Sequence, residues 1–280
     1  FEHHGKIIVS MPGVPFEMKY LMEDEIIPRI KERFEMPFIF HQNILTAGLG
    51  ESFLAEQIAD IESALPAYIK LAYLPKLGQV RLRLSASGTN EAQILTDVAY
   101  YTKQIVERVE KYVVLTEDLP FEKAVLNLMD KYQLTLSLAE SCTGGYVSHL
   151  FTQHPGSSSV FQGGAVTYSN DLKQLVLGVS ETTLAAYGAV SEQTAREMAQ
   201  GAVKNFRTDY AVAITGIAGP DGGTPEKPVG MVWIAVARKT EVKAKMFKFA
   251  SQRFQNIERS AMAALMMLFL QLKQDLNVKH

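Results

Sequence analysis

From Phe121 to the C-terminus, short apolar runs of strand length alternate with longer stretches whose apolar residues recur at helical spacing. That alternation confines the segment to an α/β layered fold, because strands separated by helices must return to one sheet with helices on its faces. The pattern predicts helices over 121–132, 144–153, 171–177, 191–206 and 255–276. It predicts strands over 135–139, 160–167, 210–215, 230–237 and 241–249. The run AMAALMMLFLQL in the final helix is too short to span a bilayer, which takes ~20 apolar residues, and reads as a buried helix face.

Upstream the pattern changes. Residues 6–10 (KIIVS) form a short apolar strand running into the turn MPGVP. A helix is expected over 15–34, with Met18, Leu21, Met22 and Ile26 on one face. The turn either offers backbone N–H groups to an anion or simply connects. The chain opens without an initiator methionine and already heading into a strand, which suggests a piece of something longer. Residues 37–110 read as β-α-β-β-α, a small α+β unit with helices on one sheet face. Arg81 and Arg83 lie on one strand face there, as phosphate contacts or as a solvated face. The polar stretch 116–120 marks a further boundary, giving units 1–36, 37–116 and 117–280.

The chain has 280 residues and a formal net charge of -2, without the basic balance of a general nucleic-acid binder. A single cysteine, Cys142, rules out an intramolecular disulfide or a cysteine zinc cage, and the six histidines show no ligand spacing. The expectation is a cytoplasmic protein without metal, cofactor, membrane or nucleic-acid partner.

Polar groups in α/β folds gather where strands end and helices begin. Three such places stand out. In AESCTGG, Glu140, Ser141, Cys142 and Thr143 sit at a strand end, and Gly144 and Gly145 let a ligand approach the main chain. A helix cap needs one Ser or Thr, not four polar groups and a glycine pair. Cys142 at a helix start is either a nucleophile or, lacking a histidine partner, a small buried neighbour. In AVTYSNDLK, Asn170 or Asp171 caps a helix, and Tyr168 and Lys173 both lean over the strand end. A desolvated lysine amine can serve as the base that a lone serine lacks. The loop ITGIAGPDGGTPEKPVG, too elaborate for a hairpin, is a candidate ligand wall whose backbone could hold phosphate or ribose. It matches neither the Walker A pattern nor the dinucleotide fingerprint.

AESCTGG, VTYSN with a lysine shortly after, GAVS at 188–191, and ITGIAGPDGG followed by KPVG together resemble the C-terminal domain of the CinA (competence/damage-inducible protein) family. Its enzymatic members are nicotinamide mononucleotide deamidases of the PncC type. MPGVPFEM is similar to the last strand and helix of the molybdopterin-binding-like domain of longer family members, and the middle unit to their KH-like domain. The whole chain thus resembles a family member lacking most of its first domain.

The resemblance implies a C-terminal three-layer α/β deamidase domain behind a KH-like α+β domain and a remnant of an α/β domain. It implies hydrolysis of nicotinamide mononucleotide to nicotinate mononucleotide and ammonia, in pyridine nucleotide salvage, with no cofactor. Ser141 would attack the carboxamide carbon, Lys173 take its proton, and Tyr168 orient the lysine or donate to the leaving group. N–H groups around Thr143, Gly144 and Gly145 would form the oxyanion hole, with Glu140 and Cys142 also lining the substrate. Thr215, Gly216, Gly219, Asp221 and Gly222 would hold ribose and phosphate. The pyrophosphatase activity attached to the family's first domain is not carried over. The alternative is a non-catalytic nucleotide-binding scaffold in competence or DNA-damage response. A sheet edge left open by the missing region leads to the expectation of a homo-oligomer, a dimer.

Overall fold

The computed structural model describes residues 2–76, 78–239, 241–249 and 252–277. Strands β1 (Glu2–His3) and β2 (Lys6–Ile7) pair antiparallel, so the strand expected over 6–10 contracts to two residues. A helical run follows as α1 (Pro15–Tyr20), a π-helical segment (Leu21–Ile26) and α2 (Ile27–Arg33). Pro28 lacks the N–H that an α-helix would bond to residue 24, and the helix widens just before it. None of the three segments contains a buried residue, so the apolar stripe Met18, Leu21, Met22 and Ile26 meets no core.

The middle unit comprises β3 (Phe38–Ala47), α3 (Glu51–Ser63), β4 (Ile69–Lys76), β5 (Gln79–Gly88), α4 (Glu91–Arg108) and β6 (Val113–Leu115). Its antiparallel sheet has the order β4-β5-β3-β6. Strict alternation in β5 turns Val80, Leu82, Leu84 and Ala86 into the core. There they meet Leu54, Ile58 and Ile61 of α3 and Ile94, Val98 and Ile105 of α4. Arg81 and Arg83 consequently face the other way. Arg81 bonds the Asp118 carboxylate at 2.5 Å and the Leu119 carbonyl at 2.9 Å, fastening the sheet to the connection that follows. Three-residue β6 is an addition to the expected order, too short to carry a period of its own.

The last unit runs α5 (Phe121–Lys131), β7 (Leu136–Glu140), α6 (Tyr146–Thr152), β8 (Phe161–Val166), α7 (Asn170–Leu177), α8 (Glu181–Tyr187), α9 (Glu192–Phe206), β9 (Tyr210–Gly216), β10 (Met231–Arg238), β11 (Glu241–Lys248) and α10 (Arg253–Leu276). Helix α8 is a second unforeseen element, about two turns after a serine cap. The sheet order is β11-β10-β9-β7-β8. β7 is parallel to β8 and β9, whereas β10 runs antiparallel to β9 and β11, so the sheet is mixed.

The two sheet faces differ in side-chain size, and the sequence of β9 shows why. In YAVAITG, Val212 and Ile214 point to one face, where they join Leu136, Leu138, Val232 and Ile234 beneath α5 and α10. Ala211 and Ala213 point to the other, meeting Ala195, Met198, Ala199 and Ala202 of α9. Alanine against alanine lets α9 lie close to the strands. A Cβ on Gly201 would stand 1.8 Å from the Leu177 carbonyl oxygen, so α9 and α7 touch backbone to backbone. Enlarging Ala199 there would cost ~1–3 kcal/mol by overpacking. The first face also takes in Leu45, Ala47 and Val114, so the two sheets share one apolar contact. No helix among the described residues is long and apolar enough to cross a membrane.

Candidate active site

Parallel pairing brings the carboxyl ends of β7, β8 and β9 together, and ladder bonds continue past them. The Ser141 N–H donates to the Ile214 carbonyl at 2.9 Å, and the Thr167 N–H to the Glu140 carbonyl at 2.8 Å. Ser141 therefore emerges between two strand ends, 8% exposed. Lys173 reaches the same point from the first turn of α7. Its Nζ stands 3.0 Å from Ser141 Oγ and 2.7 Å from the Thr167 carbonyl oxygen. The cap of α7 is Ser169, whose hydroxyl accepts the Leu172 N–H, rather than Asn170 or Asp171.

Lys173 is 1% exposed. Burial depresses its pKa below the ordinary 10.5. Among the described residues no carboxylate bonds this amine, and its recorded partners are a hydroxyl and a carbonyl. The Cys142 thiol, 6% exposed, is pushed up to about 12, chiefly by burial. It stays protonated at neutral pH and packs into the apolar core.

Glu140 lies elsewhere than at a ligand-facing position. It is fully buried and its carboxylate turns back beneath α6, where it accepts from the Gly145, Val147 and Ser148 N–H groups and the Ser148 hydroxyl. Gly144 and Gly145 take φ of +62° and +94°, the left-handed conformations that make this reversal possible. Their N–H groups are spent, on the Ser141 carbonyl and the Glu140 carboxylate respectively. Among the described residues, the Thr143 N–H has no recorded acceptor and the Cys142 N–H none beyond its own sulfur, whereas the N–H groups expected at Gly144 and Gly145 are taken. The buried hydroxyls of Thr143 and Thr167 also lack partners there.

Tyr168 is 60% exposed and has no recorded hydrogen bond to Lys173. Its hydroxyl instead accepts from Arg253 Nη2 at 2.9 Å, while Arg253 Nη1 donates to the Gly219 carbonyl at 2.7 Å. Arg253 thus ties the glycine-rich loop to the β8 end, and sequence reasoning missed it. A signal was available: a cation opening a 24-residue helix opposes the helix dipole, a local misfit of the kind functional positions show.

The loop residues divide. Thr215 is buried, and its hydroxyl donates to the Ala189 carbonyl at 2.7 Å, joining the loop to GAVS. Gly216 ends β9, and Gly219 is buried against Val229. Asp221 and Gly222 lie on the exposed outer part of the loop. Lys227 pins that part by donating to the Tyr187 carbonyl at 2.6 Å. No group of three His, Cys, Asp or Glu among the described residues could hold a metal.

Residues 118–272 match the family model of the CinA C-terminal domain, and residues 41–114 that of the damage-inducible protein CinA KH domain. CinA-like proteins of Cytophaga hutchinsonii and Flavobacterium psychrophilum are 43% and 41% identical over 274 and 275 residues, in each case 98% of this chain and 66% of the relative. The chain therefore spans just under two thirds of the length of these curated relatives. A solved competence/damage inducible protein of Agrobacterium tumefaciens is 42% identical with a TM-score of 0.53, over 55% of this chain and 94% of that one. A CinA superfamily protein of Klebsiella pneumoniae is 30% identical with a TM-score of 0.54, over 55% and 96%.

Proposed function

We propose a function from one premise: the chain belongs to the CinA family. Its C-terminal unit hydrolyses the carboxamide of a pyridine nucleotide, turning nicotinamide mononucleotide into nicotinate mononucleotide and ammonia. The observation that carries this reading is the buried Lys173 amine 3.0 Å from the Ser141 hydroxyl.

A serine hydroxyl attacks an amide only if a base takes its proton, and an uncharged lysine amine in a dry pocket is such a base. Lys173 accepts the Ser141 proton as Oγ bonds to the carboxamide carbon. The negative oxygen that results meets the N–H groups of Cys142 and Thr143. The Lys173 ammonium then returns a proton to the nitrogen, the C–N bond breaks, and ammonia leaves an ester on Ser141. Water, deprotonated by the same amine, cleaves that ester to the carboxylate and restores Ser141. The Thr167 carbonyl holds Nζ in line throughout.

One outcome concerns pH. Because burial places the folded pKa of Lys173 below 10.5, kcat/KM rises as pH climbs through that lowered value and then levels. A rate profile between pH 6 and the plateau checks this. A flat profile would leave Lys173 without the role of base.

Arg253 is the phosphate anchor in this reading. Two of its donors are fixed by Gly219 and Tyr168, and the others, with no recorded acceptor among the described residues, serve an anion at the site mouth. Arg253→Met is expected to raise KM for nicotinamide mononucleotide by ~10–100-fold, the worth of one charge-assisted hydrogen bond or more. Turnover of the phosphate-free riboside should change less than ~3-fold, within the same arithmetic. Parallel steady-state kinetics on the two substrates decide it, and equal losses on both would remove Arg253 from this role.

A further inference from the structure

Glu140 is a fully buried carboxylate beside the nucleophile, and the mechanism above gives it no step. Its surroundings account for the main-chain donors of the whole turn. Between residues 141 and 148, the N–H of Ser141 goes to Ile214, that of Gly144 to Ser141, and that of Tyr146 to Thr143. Those of Gly145 (3.0 Å), Val147 (3.2 Å) and Ser148 (2.8 Å) go to Glu140, whose Oε1 also accepts the Ser148 hydroxyl at 2.6 Å. The remainder among the described residues are the Thr143 N–H and the Cys142 N–H, the latter facing only its own sulfur.

We infer that Glu140 is a positioning residue for Ser141 chemistry: by gathering the donors on the far side of the turn, it fixes the Cys142 and Thr143 N–H groups as the receiving pair for the oxyanion. Fastening a helix start does not by itself call for such a group. A neutral serine or threonine at the cap satisfies one N–H, and it spares the chain the desolvation of a buried charge. Here one carboxylate takes three main-chain donors and a hydroxyl, spanning both left-handed glycines. Two glycines in succession leave a loose hinge after the nucleophile, and a loose hinge places oxyanion donors poorly. The carboxylate closes it from within. It also occupies the donors at the start of α6, which sends a substrate phosphate elsewhere, in keeping with Arg253 across the mouth.

The inference rests on Ser141 being the nucleophile, so its test needs a readout that does not require the proposed substrate. The rate at which a fluorophosphonate labels Ser141 supplies one: Oγ bonds to phosphorus, fluoride leaves, and the new oxyanion needs the same N–H pair. In Glu140→Gln one carboxylate oxygen becomes an NH2 facing N–H donors. Labelling and kcat for ammonia release are expected to fall together by ~10-fold or more, with KM within ~2-fold of wild type. Glu140→Asp, which keeps the charge on a shorter arm, should fall between. A folded Glu140→Gln protein with a lower Tm but wild-type labelling and kcat would overturn the inference, reducing the carboxylate to a helix fastener. If Glu140→Gln gives no cooperative melt, Ser148→Ala decides: it removes one donor and keeps the charge. Slower labelling supports the inference and an unchanged rate overturns it. Wild-type protein that is labelled at Ser141 yet releases no ammonia would count against the proposed substrate alone, and the labelling series would still rule on Glu140.

Discussion

Ser141→Ala is expected to abolish ammonia release from nicotinamide mononucleotide, lowering kcat by ~10⁴-fold or more, while the protein stays folded. Removal of a nucleophile from a unit that acts together costs roughly as much as removal of the whole unit. The structure supplies the reason in this case. With Ser141 Oγ removed, Lys173 keeps the Thr167 carbonyl as its hydrogen-bond partner among the described residues. Cys142 is adjacent, but its thiol is held near 12 by burial and stays protonated. The change to stability should be ~1 kcal/mol or less, because one hydrogen bond is lost and the carbonyl still pairs the amine. Ammonia release measured beside a thermal melt separates the two effects. A chelator should leave the wild-type rate unchanged, because the proposed base is the Lys173 amine 3.0 Å from Ser141 Oγ. Retained turnover in a folded Ser141→Ala protein would sink the serine mechanism.

Much of this arrangement was legible in the sequence, and the reasons differ by element. The alternating β9 and β5 announced themselves because period two with large residues on one face is a strong local signal. Ser141 and Lys173 could be picked out because both sit where a strand ends and a helix begins, and each is close to that boundary in the chain. Arg253 could not be picked out so directly. It meets Tyr168 across 85 positions of sequence, and only tertiary folding joins the N-terminus of α10 to the end of β8. Glu140 was found, but its direction was not. Whether a carboxylate at a strand end faces a ligand or turns beneath the next helix depends on the φ of Gly144 and Gly145, which sequence leaves open. The tie of Thr215 to the Ala189 carbonyl was hidden for a similar reason, since its acceptor belongs to a loop 26 positions away. The short β6 and α8 were missed because three and seven residues carry too little periodicity.

Lys173→Met should separate function from stability in the opposite direction to most core substitutions. Methionine matches lysine in length and brings no charge, so it fills the same buried channel between the ends of β7 and β8. Catalysis loses its base, and kcat should fall on the order of 10³–10⁴-fold. Joining it to Ser141→Ala should add little, because the pair works as one unit. Stability should hold or rise near neutral pH. The folded pKa of Lys173 is depressed below the unfolded 10.5, so the unfolded chain binds more protons at this group, and folding carries the penalty of desolvating or neutralising the amine. That penalty is complete below the depressed folded value. It shrinks as pH rises from there to 10.5, where the unfolded lysine also loses its proton. Wild-type stability should therefore gain on the variant across that window, with the variant more stable at the acid end and its advantage fading toward the alkaline end. Melts of both proteins at several pH values test this. A variant less stable than wild type throughout would mean that the hydrogen bonds of Nζ to Ser141 and Thr167 outweigh the cost of burying it. The amine would then hold the fold together at this point as well as serving the chemistry.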